Sequence, residues 1–166
     1  IMTNFLLAST EMCAGYKAER WPTEPNKLRH NHETFPALLL EFSGRYFGNY
    51  YGLPIADEWR AIALECFTGP IENCFKYRED ANLYQWLVPA HKVIYDRVAG
   101  RQRFVKNGCL AKFAKNVEIT SDNFGYPCDF GDAGSPISGG RAPSNLLTAA
   151  AAAYNNGAMQ WVAERI

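Results

Sequence analysis

Apolar residues in this chain return every three or four positions over long stretches, and prolines and glycines cut those stretches into lengths of about one helix each. That spacing puts side chains on one face of an α-helix and does not fit the alternation of a half-buried strand. The longest stripe, Ile55, Trp59, Ile62, Ala63, Cys66, Phe67, Ile71, Cys74 and Phe75, predicts a helix over about 55–78. Gly69-Pro70 inside it predicts a kink or a division into two shorter helices. Phe35, Leu38, Leu39, Phe42 and Tyr46 predict a helix over about 33–50, with Pro36 in the first turn, where a missing amide hydrogen costs nothing. Phe5, Leu6, Met12 and Tyr16 mark a weaker one over 3–19. Leu83, Trp86, Leu87, Ala90, Ile94 and Val98 mark another over about 80–98, with Pro89 inside. The fold class read from this pattern is all-α, built of antiparallel helical hairpins.

Between these stretches the sequence RWPTEPNKLRHNH reads as a polar, proline-bearing connection. A short helix is expected near 108–114, followed by a long loop rich in glycine and proline over about 118–142. Loops of that length in a compact protein usually serve a site or lie disordered. Helix returns over 143–154, with Leu147, Ala150, Ala151 and Tyr154 on one side. Asn155-Asn156-Gly157 should stop it, since asparagine and glycine tolerate the left-handed conformation that closes a helix. A last helix starts near Ala158 and is still running at Ile166. The 166 residues are enough for a single helical domain. The opening at Ile1 and the helical ending suggest a fragment of a larger helical array, so the remainder of a longer chain is an expected partner. No repeat of fixed period names a solenoid.

Several functional classes are disfavoured early. No apolar run approaches the roughly 20 residues of a bilayer span, so no membrane span is expected. Lysine plus arginine number 17 and aspartate plus glutamate 17, a balance that argues against broad capture of nucleic acid. Five cysteines without a CxxC pair make neither a zinc knuckle nor a thioredoxin-type site. Cys66 and Cys74, eight apart on one helix, are too distant along its axis to bridge. There is no GxxxxGKS phosphate loop and no EF-hand pattern. His30 and His32 bracket one residue near Glu33 and Glu41, but no HExxH and no further ligand cluster accompany them, so neither metal nor cofactor is expected.

Three clusters carry potential chemistry. In RHNHETF, Asn31 is placed to cap the helix that follows, which leaves His32 in the first turn beside unpaired backbone amides. The positive end of a helix favours an anion and a neutral imidazole, so the pair could hold a carboxylate or take a proton from carbon. The same residues also fit a solvated loop and cap. In YREDANLYQWLVPAH, Tyr77, Tyr84 and His91 follow at intervals of seven and would share one side of a continuous helix, a row able to line a sugar-binding groove. Arg78 could favour a phenolate there; partly buried aromatics are the plainer alternative. In FGYPCDFGDAGSP, Asp129 and Asp132 could face a cation, a histidine or a polar ligand, or simply belong to a turn-rich loop. Tyr46, Tyr50 and Tyr51 in RYFGNYYG add to a supply of 9 tyrosines and 4 tryptophans, rings that stack on sugars and equally serve protein interfaces.

HNHETFPALLLEFSGRYFG resembles the helix that begins with an Asn-His pair in the α/α-toroid of heparinase-like polysaccharide lyases. EDANLYQ resembles the segment in which these enzymes carry a tyrosine, DNFGYPCDFGDAG the stretch after their toroid, and YNNGAMQWVAERI their later helical segments. The resemblance implies an incomplete α/α toroid acting on an acidic, uronic-acid-containing polysaccharide by β-elimination, in a secreted or periplasmic setting. Asn31 would help neutralise the substrate carboxylate, His32 would assist carboxylate binding or proton removal, and Tyr84 would act as base, acid or both. His30, Arg78, Trp86, His91 and Asp132 are the further groups expected against substrate. A glycoside hydrolase on a similar toroid would instead use paired carboxylates, with Asp80, Asp129 and Asp132 as candidates. A non-catalytic helical binding or scaffold domain would use the aromatics as interface anchors.

Overall fold

The computed structural model describes residues 2–19, 31–72, 74, 84–125 and 141–165. Eight helices and no β-strand occur among them, so the fold is all-α. No described helix is long and apolar enough to cross a membrane. The chain divides into two compact units, residues 1–75 and 76–166.

The first unit holds α1 (Met2–Glu19), α2 (Asn31–Tyr51) and α3 (Ile55–Glu72). Only Gly52, Leu53 and Pro54 separate α2 from α3, and so short a link makes the two helices antiparallel neighbours. Gly52 turns the chain at φ +62°, a left-handed conformation that costs glycine nothing. Its amide donates to the carbonyl of Gly48 at 3.1 Å, and that of Leu53 to Phe47 at 3.3 Å, satisfying carbonyls at the end of α2. Asp57 and Glu58 stand in the first turn of α3, where a helix favours negative charge.

The face of α2 that packs inward differs from the one its large residues predict. Ala37, Leu38, Leu40 and Phe47 are buried, as are Trp59, Ile62, Ala63, Cys66 and Phe67 of α3, on which α2 packs, with the Phe47 and Trp59 rings edge to face at 6.1 Å. Phe35 and Phe42, by contrast, are 52% and 43% exposed. Small residues decide the orientation. A Cβ added at Gly44 would lie 2.8 Å from the carbonyl oxygen of Ala56, and one at Gly48 would lie 3.2 Å from the Ala56 Cβ. α3 therefore lies against a glycine-lined strip of α2, and the bulky rings are left outside. α1 joins through a buried polar contact: Ser9 donates to the carbonyl of Phe5 at 2.8 Å, so the hydroxyl of Ser43 donates to Ser9 at 2.6 Å.

Helix boundaries also depart from expectation. α2 starts at Asn31, which moves Pro36 from the first turn into the helix, where it has no N–H to offer the carbonyl of His32. α3 runs as one helix through Gly69-Pro70 to Glu72, so the predicted division does not occur there. Residues 75–78, expected to continue it, lie outside the described residues.

The second unit holds α4 (Tyr84–Val98), α5 (Arg103–Lys106), α6 (Cys109–Ile119), α7 (Arg141–Tyr154) and α8 (Gly157–Ala163). α7 packs against α4, α6 and α8 through Leu146, Leu147 and Ala150, all fully buried. α4 closes in a Schellman motif: Gly100 at φ +69° donates to Arg97 at 3.2 Å, and Arg101 donates to Asp96 at 3.0 Å. α7 ends as its asparagines predict, with Asn155 left-handed at φ +51°. The Asn156 side chain then caps α8, accepting from the amides of Ala158 at 3.0 Å and Met159 at 3.2 Å. The short helix expected at 108–114 is longer, reaching Ile119, and α5 precedes it. The last helix closes at Ala163 instead of continuing to Ile166. Of the long loop, residues 126–140 lie outside the described residues.

Candidate functional site

Asn31 opens α2, and His32, in the first turn, is exposed. The two residues that follow it, Glu33 and Thr34, are buried. Successive helical residues are turned by about 100°, so a one-residue step is enough to move from solvent to core. A carboxylate directly after the pair would repel an incoming anion if it shared the exposed face. Glu33 does not, since its side chain is turned into the first unit. The backbone there is tied to α3 by the Cys66 thiol, which lies 3.9 Å from the Glu33 carbonyl as a weak donor. Burial, together with the Glu33 and Glu65 charges, pushes the Cys66 thiol well above its ordinary pKa, so this cysteine is structural and not a nucleophile. It is free, whereas Cys74 is disulfide-bonded, so the two are not joined to each other.

Tyr84 is the first residue of α4, so it too begins a helix, and His91 follows two turns later on the same helix. The side chains of Asn31 and Tyr84 lie outside the described residues, as do His30, Tyr77, Arg78, Asp80, Asp129 and Asp132 entirely. Two candidates need correction. Trp86 is 2% and His91 6% exposed, so both belong to buried structure and neither is presented to a polymer in solution. Their type suggested a groove, but α4 buries them along with Val88, Ala90 and Tyr95. Burial also lowers the His91 pKa to about 4, which keeps its imidazole neutral.

The second unit contains a polar cluster that the large-residue pattern did not single out. Lys92 is fully buried, with Nζ 5.8 Å from the Phe104 ring centroid and 5.5 Å from that of Phe113. The ring faces supply a partial substitute for water around the ammonium. Burial nonetheless brings its pKa down to about 7. One turn on, Asp96 is buried as well; its Oδ2 accepts the Phe104 amide at 2.7 Å, and its Oδ1 has no hydrogen-bond partner. Asp96 thereby serves the start of α5, whose own N-cap residue, Gln102, makes no side-chain cap. The sequence signal was the pair of charges four apart, in HKVIYD, within an otherwise apolar helix.

Aromatic side chains also gather at the far end of α2. Tyr46 lies between Tyr50 and Tyr51, with ring centroids 5.2 Å and 5.8 Å away. A hydrogen bond with Tyr51 and partial burial raise the Tyr46 pKa, so its phenol stays protonated. Among the described residues, no three His, Cys, Asp or Glu side chains gather where they could hold a metal ion. Comparison with known protein families, with curated proteins and with solved structures found no match.

Proposed function

We propose that the chain is a carbohydrate-active enzyme that cleaves a uronic-acid-containing polysaccharide by β-elimination, on a helical scaffold of the incomplete α/α-toroid kind and in a secreted or periplasmic setting. The observation that supports this reading is the divergence at the start of α2, where His32 faces solvent and Glu33 is turned inward. An exposed imidazole at a helix N-terminus, with the adjacent carboxylate removed to the core, suits a substrate carboxylate.

In this mechanism Asn31 and His32 stabilise the charge that develops at the sugar carboxylate as C5 loses its proton. A base takes that proton, the part that the resemblance implies for Tyr84. The electron pair forms the C4–C5 double bond as the C4–O bond breaks, and the leaving oxygen is protonated by the conjugate acid of that base or by water. The test is incubation of the full chain with polygalacturonate, alginate and hyaluronan while following near-ultraviolet absorbance of the unsaturated product. Absorbance should rise with at least one polymer and fall on the order of 100-fold or more in rate for His32→Ala and for Tyr84→Phe. New reducing ends without absorbance would identify a hydrolase instead. No cleavage of any kind would leave a non-catalytic helical binding domain, the reading favoured by the burial of Trp86 and His91 and by the outward rings of α2.

A further inference from the structure

Two asparagine–glycine steps stand in the second unit, Asn107-Gly108 before α6 and Asn156-Gly157 at the start of α8. Such a step can rearrange without an enzyme, because the glycine nitrogen can attack the asparagine side-chain amide and no glycine side chain hinders its approach. The two differ in how the reacting atoms are held. The Gly108 amide donates to the Val105 carbonyl at 3.1 Å, which engages the attacking nitrogen, whereas the Gly157 amide makes no hydrogen bond among the described residues. Gly157 is exposed with open space around it, so its peptide can turn. The electrophiles differ as well. Asn156 Oδ1 accepts from the amides of Ala158 at 3.0 Å and Met159 at 3.2 Å, so charge developing on that oxygen as the nitrogen adds to Cγ meets donors already in place. Asn107 Oδ1 is instead anchored at 3.0 Å to the amide of Cys109, a fully buried residue.

We infer that Asn156 is a site of spontaneous deamidation, converting through a cyclic imide to aspartate and isoaspartate, while Asn107 in the folded chain keeps its amide. The Gly157 nitrogen gives up its proton to solvent and bonds to Asn156 Cγ. The bond from Cγ to Nδ2 breaks, and Nδ2 takes up a proton and leaves as ammonia. Water then opens the imide at either carbonyl. Aspartate at 156 leaves a side-chain acceptor at the helix start and adds negative charge where the first turn favours it. Isoaspartate carries the main chain through the former side chain, so the oxygen that capped Ala158 and Met159 is lost from its place. α8 packs on α7 with Met159 and Val162 buried and with Ser144 Oγ donating to the Ala163 carbonyl at 3.3 Å, and the isoaspartate product loosens that helix from its neighbour.

The test is to hold the full chain at pH 8, folded and in parallel in urea, and to follow both asparagine–glycine peptides by mass spectrometry, with fragmentation to separate Asn156 from Asn155. In the folded chain Asn156 should convert at least about ten-fold faster than Asn107, the effect of one hydrogen bond on the barrier, and in urea the two should convert at similar rates. Aspartate and isoaspartate should both appear. Gly157→Ala adds a methyl that meets nothing within 4 Å in the folded chain but crowds the approach of the nitrogen to Cγ, and it should slow conversion about ten-fold. Folded-state conversion of Asn107 as fast as that of Asn156 overturns the inference, as does an Asn156 that converts in urea but not in the folded chain. Aspartate without isoaspartate, or Gly157→Ala chains that convert as fast as wild type, also overturn it, because the glycine nitrogen would then not be the attacking group.

Discussion

Gly44 and Ala56 are in such close apposition that a single methyl group on Gly44 would stand 2.8 Å from the Ala56 carbonyl oxygen and 2.5 Å from Cγ of Arg60. The arginine can swing aside; the backbone of α3 cannot. Gly44→Ala should thus separate α2 from α3 and destabilise the first unit by about 1–3 kcal/mol, despite the better helix propensity of alanine. Gly15 on α1 has nothing within 4 Å, so Gly15→Ala is the control and should be neutral or slightly stabilising. Denaturant titration of the two variants against wild type checks the difference.

Ser43 and Ser9 predict a smaller effect. Ser43→Ala removes the donor to Ser9, but Ser9 keeps its bond to the Phe5 carbonyl. The loss should be about 1 kcal/mol, and Ser9→Ala combined with Ser43→Ala should cost less than the sum of the two singles. A double-mutant cycle in urea measures the coupling.

Lys92 gives the second unit a pH dependence of known sign. Its folded pKa, about 7, lies below the ordinary 10.5, so the unfolded chain binds more protons between those values and stability rises with pH across that window. Lys92→Met preserves the stem that lies along Phe104 and Phe113 and removes the titration. Stability of the variant should therefore rise less than that of the wild type between pH 7 and pH 10; thermal melts across that range show whether it does.

His91 acts in the acid range by the same logic. With the folded pKa down at about 4 against 6.5, stability conferred by the neutral ring is lost as pH falls from 6.5 towards 4. Carboxylates titrate over part of that interval, so the informative quantity is the difference between wild type and His91→Gln. The variant should lose less stability between pH 6.5 and 4.5; an unchanged slope would place the titration elsewhere.

Cys66 should resist alkylation. Its buried thiol is held protonated, and only thiolate reacts. Iodoacetamide at pH 8 should leave the Cys66 peptide unmodified in the native chain and label it rapidly in denaturant, as read by mass spectrometry. Rapid native labelling would mean that the α2–α3 contact opens readily.

The helical class was legible because apolar spacing and proline positions are local properties, and most of the inward stripe of α3, from Trp59 to Phe67, follows from them directly. The orientation of α2 was not. Phe35, Phe42 and Tyr46 dominate any count of apolar residues, yet packing is decided by how closely backbones approach, and there Gly44 and Gly48 outweigh three rings. α4 misled for the opposite reason: Ile94 is its exposed apolar residue, while Lys92 and Asp96 are inside, where the rings of Phe104 and Phe113 and the amide of Phe104 receive them. Those partners lie 8 to 21 positions away in sequence, beyond any local window. The left-handed Asn155 at the end of α7 was readable from residue type, whereas α2 begins at Asn31, two residues before the start its apolar spacing marks, and the burial of Trp86 and His91 depends on tertiary neighbours.

The three-residue link between α2 and α3 has a consequence for how the chain reaches this state. Closing so small a loop sacrifices little chain entropy, and nearly every partner of the glycine strip is supplied within a few dozen residues. Contacts of such low order form quickly. As the polypeptide leaves the ribosome, the stretch from Asn31 to Glu72 can pair with itself before the second unit has been made.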